Sequence, residues 1–164
     1  MARIVVADSG PLHYLAMIDC ANVLQSLFDE VMIPTAVQAE LAHRNTPDKV
    51  KAWLDSPKPW FSVRMVARHR PVAGLHRGET EALQLALEAA VKVVLMDDMD
   101  GRHAAKRLGL TVIGTLGILE LADERALLHL PDAVTKLRQT NFFISPQILD
   151  AALERHRRRV RGEG

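Results

Sequence analysis

Two short apolar runs, RIVVA at residues 3–7 and VKVVLM at residues 91–96, each break off onto aspartate: Asp8 after the first, Asp97 and Asp98 after the second. Neither run alternates polar with apolar residues, so both read as strands buried on two faces, the pattern of a parallel sheet covered by helices. EVMIP (30–34) and TVIG (111–114) are two further short strands, and PKPWFSVRMV (57–66) holds a Pro-rich turn and then a strand. Helical stretches lie between them: GPLHYLAMI, ANVLQSLF, PTAVQAELAHR, TPDKVKAWLDS with Thr46 as N-cap and Pro47 at N1, GETEALQLALEAA, and GRHAAKRLGL ending at Gly109. TLGILELADER follows, then two more helices between Pro131 and Arg161, separated by NFFISPQ. ARHRPVAGLHRG has no regular period and reads as an exposed loop. Strands alternating with helices predict an α/β fold, in which ligands bind beyond the carboxyl ends of the strands. Both aspartate groups then share one edge of the sheet.

The bulk properties narrow the class. A chain of 164 residues, 48% apolar and 25% charged, suits one globular domain. No run of 18 apolar residues occurs, which argues against a membrane span, and the apolar start is interrupted at Asp8, unlike a signal peptide. The single cysteine, Cys20, can form no internal disulfide and anchor no cysteine zinc site, so a reducing, cytoplasmic setting is expected. The net charge of +1 conceals a division: residues 1–154 carry 16 Lys/Arg against 19 Asp/Glu, and residues 155–164 carry 5 Arg against 1 Glu. The expected organisation is one domain over 1–154 and a basic tail over 155–164, solvated or set against nucleic acid phosphates or an acidic partner.

Two more acids fall near the same edge. Glu40 lies on the helix after the second strand, about 9 Å along its axis from Pro34 at a rise of about 1.5 Å per residue. Glu79 opens the helix that feeds the VKVVLM strand. Each has an ordinary alternative: Glu40 as a solvated helix residue, Glu79 as a partner of its helix dipole, Asp98 and Asp100 as turn or N-cap residues. As a set they repel one another, and a site that keeps them charged needs a cation. Oxygen ligands without matching Cys or His spacing favour Mg²⁺ or Mn²⁺ over zinc, and a pair of such ions can activate water and stabilise the leaving oxygen in phosphodiester hydrolysis. DDMDG fails as a calcium loop, and no phosphate loop, HExxH helix or GxSxG elbow occurs. Ser9 reads as a turn former whose hydroxyl bonds Asp8 or a metal-held water. His13 and His103 read as packing or surface residues.

VVADSGPL, MIPTAVQAEL, GETEALQLALE, VVLMDDMDGRHAAKRLGLTVIGTLGIL and SPQILDAALE, in this order, resemble PIN-domain proteins, in particular a prokaryotic branch related to the VapC toxins of toxin–antitoxin pairs. The resemblance implies a three-layer α/β/α sandwich with a short, mainly parallel central sheet, and metal-dependent endoribonuclease activity with Mg²⁺ or Mn²⁺. It implies Asp8, Glu40 and Glu79 as the first three site acids, with Glu79 standing where many relatives have Asp. The fourth falls on Asp97 or Asp98, between which spacing does not decide; Glu81 and Asp100 are lesser candidates. The partners implied are RNA, single-stranded or looped, an antitoxin protein, and a second copy of the chain, met through faces such as YLAMI or TLGILELA. Arg64, Arg68, Arg70 and Arg77, or the Arg-rich tail, are the cations available to hold RNA. The alternative is a non-catalytic PIN-like module that binds nucleic acid or protein without cutting. A receiver domain is disfavoured because no Lys follows TVIGT, and an aspartyl phosphatase because Asp8-Ser9-Gly10 lacks the Asp-x-Asp pattern.

Overall fold

The computed structural model describes residues 2–162. The chain divides into two compact units, the first ending at Thr115 and the second beginning at Leu116.

The first unit is built on five parallel strands: β1 (Ile4–Ala7), β2 (Glu30–Pro34), β3 (Phe61–Arg64), β4 (Val93–Leu95) and β5 (Thr111–Ile113). Their order across the sheet is β3-β2-β1-β4-β5. The chain moves outward from β1 to β3, then crosses back to β4 and on to β5. The order therefore reverses between β1 and β4, where a doubly wound sheet opens its binding crevice. Ala7 stands opposite Leu95, and the Asp8 N–H donates to the Leu95 carbonyl at 2.9 Å, extending the pairing by one residue. The sheet thus fixes the Asp8 backbone and delivers its side chain to the crevice.

Helices α1 (Ser9–Met17), α2 (Val23–Leu27), α3 (Thr35–Leu41), α4 (Asp48–Asp55), α5 (Arg77–Glu88) and α6 (Met99–Arg107) connect and flank these strands. This is the three-layer α/β/α arrangement expected from the sequence. A core cluster joins Val6, Met32 and Val94 of the sheet to Ala82, Leu83, Leu85 and Ala86 of α5 and Ala104 and Ala105 of α6, all buried. Small residues on α6 let that helix lie close; a side chain on Gly101 would meet the Met96 sulfur at 2.4 Å. α6 ends as its sequence predicts, with Gly109 at φ +77° beyond the last turn. One expectation is corrected: Thr46 does not cap α4. Its hydroxyl donates to the Glu40 carbonyl at 3.1 Å, tying the end of α3, and Pro47 precedes the first helical residue instead.

The second unit contains α7, which begins at Thr115 and runs to Glu124, α8 (Leu130–Leu137) and α9 (Pro146–Val160). Ser145 caps α9 by accepting the Ile148 N–H. Residues 155–160, set apart in the sequence by charge, are the last turns of this helix. Their arginines are engaged within the unit: Arg155 grips Glu120 through two hydrogen bonds, and Arg157, Arg158 and Arg161 surround Glu154. Asp123 ties the three helices, bonding His156 Nδ1 at 2.8 Å, the Arg159 guanidinium, and the Leu130 N–H at 3.0 Å. Burial alone would raise Asp123, but the Arg159 and His156 bonds outweigh it and hold the carboxyl below its usual range. Among the described residues, no helix is long and apolar enough to cross a membrane.

Candidate metal centre

Asp8 occupies the first position beyond β1, 4% exposed, and its Oδ1 has no hydrogen-bond partner. A carboxylate taken from water without replacement bonds is costly, and the cost appears as a shifted titration. Burial pushes the Asp8 pKa up to about 7, and repulsion from Glu40 and Glu79 adds to it against the opposing Ser9 amide and His76.

Glu79 stands on the first turn of α5, buried like Asp8. It is placed by a reciprocal cap: the His76 ring accepts the Glu79 N–H at 3.4 Å, and the Glu79 carboxylate accepts the His76 N–H at 3.3 Å. The two side chains also meet directly, Nε2 to Oε1 at 2.7 Å. Burial raises the Glu79 pKa, as do the charges of Asp98 and Glu40; His76 opposes them. One ligand atom from each of Asp8, His76 and Glu79 lies within 4.8 Å of the others.

Glu40 reaches this group from α3. Its Oε2 accepts the Ser9 hydroxyl at 2.6 Å and its Oε1 lies 3.3 Å from His76 Nδ1. Ser9 thus holds Glu40, where the sequence reading had it bond Asp8 or a water. The glutamate rests on the backbone of α5: a Cβ on Gly78 would fall 2.0 Å from Glu40 Oε1. A side chain at position 78 would displace that carboxylate.

The Asp97–Asp98 pair separates in space. Asp97 turns inward beyond β4, accepting the Thr115 N–H at 2.7 Å and the Thr115 hydroxyl at 2.6 Å. Burial raises its pKa against those bonds and the charge of Arg102. It borders Asp8's turn, its Oδ2 being 3.4 Å from where a Cβ on Gly10 would stand. Asp98 is exposed and accepts the Gly101 N–H at 2.9 Å as the N-cap of α6.

A family model for PIN domains (DUF3368) matches residues 4–158, nearly the whole chain. The protein belongs to the PIN-domain family. Comparison with curated proteins returns no match. Among solved structures, a PilT N-terminus domain protein, SSO1118 from the hyperthermophilic archaeon Sulfolobus solfataricus P2, is similar over 87% of this chain and 99% of its own, with 15% identity and a TM-score of 0.48.

Within this PIN domain, then, the structure brings Asp8 and Glu79 into one tight group with His76, sets Glu40 against that group through Ser9 and His76, and holds Asp97 on Thr115 next to Gly10. Asp98 neighbours Glu79 in charge but is committed to capping. Glu81, a lesser candidate, is buried and bound to Arg77 at 2.6 Å, with His69 at 3.4 Å; it is a structural anchor of α5. Asp100 is exposed on the first turn of α6. Of the candidate cations, Arg64 pairs with Glu30 at 3.2 Å and Arg77 with Glu81, while Arg68 and Arg70 are exposed. Sequence reasoning missed His76 and Arg102. His76 lay in an aperiodic loop, and histidine is not among the preferred N-caps; the available signal was its spacing of three from Glu79, the interval of a capping box. Arg102 lies against Gly114, where a Cβ would meet its guanidinium at 2.7 Å, and its charge reaches Asp97.

Proposed function

We propose that this PIN domain is a metal-dependent endoribonuclease that hydrolyses phosphodiester bonds in single-stranded or looped RNA, as the toxin, or a relative of the toxin, of a toxin–antitoxin pair. The observation that carries the reading is Asp8: a carboxylate buried at the switch point of the sheet, one oxygen without a partner, facing Glu79 and His76. Burial and repulsion from neighbouring carboxylates raise the pKa values of Asp8 and Glu79, and a cation bound between them would favour their charged forms. The donor set fits a divalent ion, Mg²⁺ or Mn²⁺: two buried carboxylates as the core, with Glu40 and Asp97 in reserve around them.

Asp8 and Glu79 would hold the ion, with Glu40 and Asp97 as the further acids. A divalent ion so held supplies Lewis-acid chemistry, polarising a phosphate oxygen and making water nucleophilic at neutral pH. The chain's own groups prepare that chemistry. The sheet hydrogen bond at Asp8 and the cap at Glu79 fix both carboxylates before substrate arrives. Ser9 keeps Glu40 turned inward, and Thr115 does the same for Asp97. Uncompensated, this cluster repels an RNA backbone, so a side chain of opposite charge is needed at its rim. Arg102, beside Asp97 and Gly114, is better placed for a phosphate than the paired Arg64 and Arg77. Only one Tyr and two Trp occur in the chain, so recognition by extensive base stacking is not expected.

Purified protein with end-labelled RNA tests the reading. Cleavage is expected with Mn²⁺ or Mg²⁺, none with EDTA, and none from Asp8→Asn. Cleavage that persists in EDTA and in Asp8→Asn would sink the metal–acid mechanism. The toxin role is tested separately: induced expression should arrest growth, and Asp8→Asn should relieve the arrest. Growth unaffected by an RNA-cutting wild-type protein would remove that role and leave the nuclease.

A further inference from the structure

The oxygen-rich centre contains one nitrogen donor. His76 precedes α5, half-exposed, with Nε2 at 2.7 Å from Glu79 Oε1 and Nδ1 at 3.3 Å from Glu40 Oε1. Its capping role does not require imidazole, since Ser, Asn or Asp at an N-cap would serve α5 better. Imidazole does add a borderline-soft ligand. Mg²⁺ prefers hard oxygens and keeps much of its water, whereas first-row transition ions gain from nitrogen ligation. The spacing suits shared ligation. Two adjacent ligands of an octahedral ion, each about 2.1 Å from it, stand about 3 Å apart, close to the 2.7 Å between Nε2 and Glu79 Oε1. Asp8 supplies the independent sign that an ion belongs here: its partnerless Oδ1 is buried within the same group.

We propose that His76 ligates the ion alongside Asp8 and Glu79, and that its imidazole makes the centre select a first-row transition ion over Mg²⁺. The inference rests on the metal-centre reading above and goes beyond it by assigning the ligand that sets ion preference. With Nδ1 accepting the Glu79 N–H, the Nε2 proton lies toward Glu79 Oε1. Ligation through Nε2 gives up that hydrogen bond and moves the ring's one proton to Nδ1, where Glu40 Oε1 at 3.3 Å accepts it in place of the cap to the Glu79 N–H, so the ligand is neutral imidazole.

Calorimetric titration of the metal-free protein with Mn²⁺ and with Mg²⁺, and electron spin-echo modulation of the Mn²⁺-loaded protein, test it without reference to cleavage. The wild type is expected to bind Mn²⁺ the more tightly and to show ¹⁴N modulation. His76→Asn keeps an N-cap acceptor for α5, so it should melt within a few degrees of wild type in EDTA. It should bind Mn²⁺ about tenfold more weakly, change little toward Mg²⁺, and lose the nitrogen signal. Two results would overturn the assignment of His76 while leaving the metal centre intact: Mn²⁺ bound by wild type without ¹⁴N modulation, or an unchanged Mn²⁺/Mg²⁺ ratio in His76→Asn. Wild type that binds neither ion, or Asp8→Asn that binds both as wild type does, would overturn the metal centre and this inference with it.

Discussion

Replacing Asp8 with Asn should stabilise the metal-free protein at alkaline pH, although it abolishes the proposed activity. Burial lifts the Asp8 pKa from 3.8 in the unfolded chain to about 7 in the folded one. Below pH 3.8 both states are protonated and the shift costs nothing. Between the two values the unfolded chain ionises first, so stability falls as pH rises, and above pH 7 the penalty is complete. At about 1.36 kcal/mol per pH unit, the full penalty is on the order of 4 kcal/mol. Asparagine has nearly the same shape and carries no charge. Its amide has desolvation costs of its own, but these do not vary with pH, so the change in the gap between variant and wild type is the informative quantity. That gap should widen in the variant's favour by about 2–3 kcal/mol from pH 5 to pH 8. Urea unfolding in EDTA, followed by tryptophan fluorescence, measures it, because Trp53 and Trp60 lie in the same unit as Asp8. Excess Mn²⁺ should reverse the order by stabilising wild type alone. A gap that stays flat between pH 5 and pH 8 would show that Asp8 is not desolvated, and the case for a cation at that position would fall with it.

Three further substitutions probe separate parts. Gly78→Ala puts a methyl where the flexible Glu40 carboxylate now rests; stability should change by less than about 1 kcal/mol, while metal affinity and RNA cleavage fall together. Thr115→Val removes the hydroxyl bond to Asp97; a loss of about 1–2 kcal/mol is expected in urea unfolding, with weaker metal binding in calorimetry. Asp123→Ala strands Arg159 and His156 and should lower stability by about 2–3 kcal/mol. Because the Asp123 pKa is depressed on folding, its stabilising contribution is present above pH 3.8 and is lost as pH falls through the lower folded value, so the variant's acid transition should be the shallower one.

Most of the framework was legible because its signals are local. RIVVA and VKVVLM are too short and too apolar to be surface elements, and in parallel strands their terminal aspartates fall at one edge of the sheet. The different surroundings of Asp97 and Asp98 were illegible for a physical reason: both are aspartates at a strand end, where aspartate also caps helices, and only the Thr115 and Gly101 bonds distinguish them. Glu81 and Glu79 share one helix and differ by two residues, which turns them about 200° apart at 3.6 residues per turn, so one faces the crevice and the other Arg77. His76 gave no periodic signal, and its role exists only once α5 and α3 are adjacent. The tail read as free charge because its acidic partners, Glu120 and Asp123, are more than thirty residues away.

Gly78 and Glu40 also bear on how this centre can vary among relatives. The carboxylate fills the volume that a side chain at 78 would claim, so the two positions constitute one choice rather than two. A lineage that acquires alanine or serine at 78 must shorten or redirect residue 40. The orientation of Glu40 is therefore set in part by a helix start 38 positions later in the sequence.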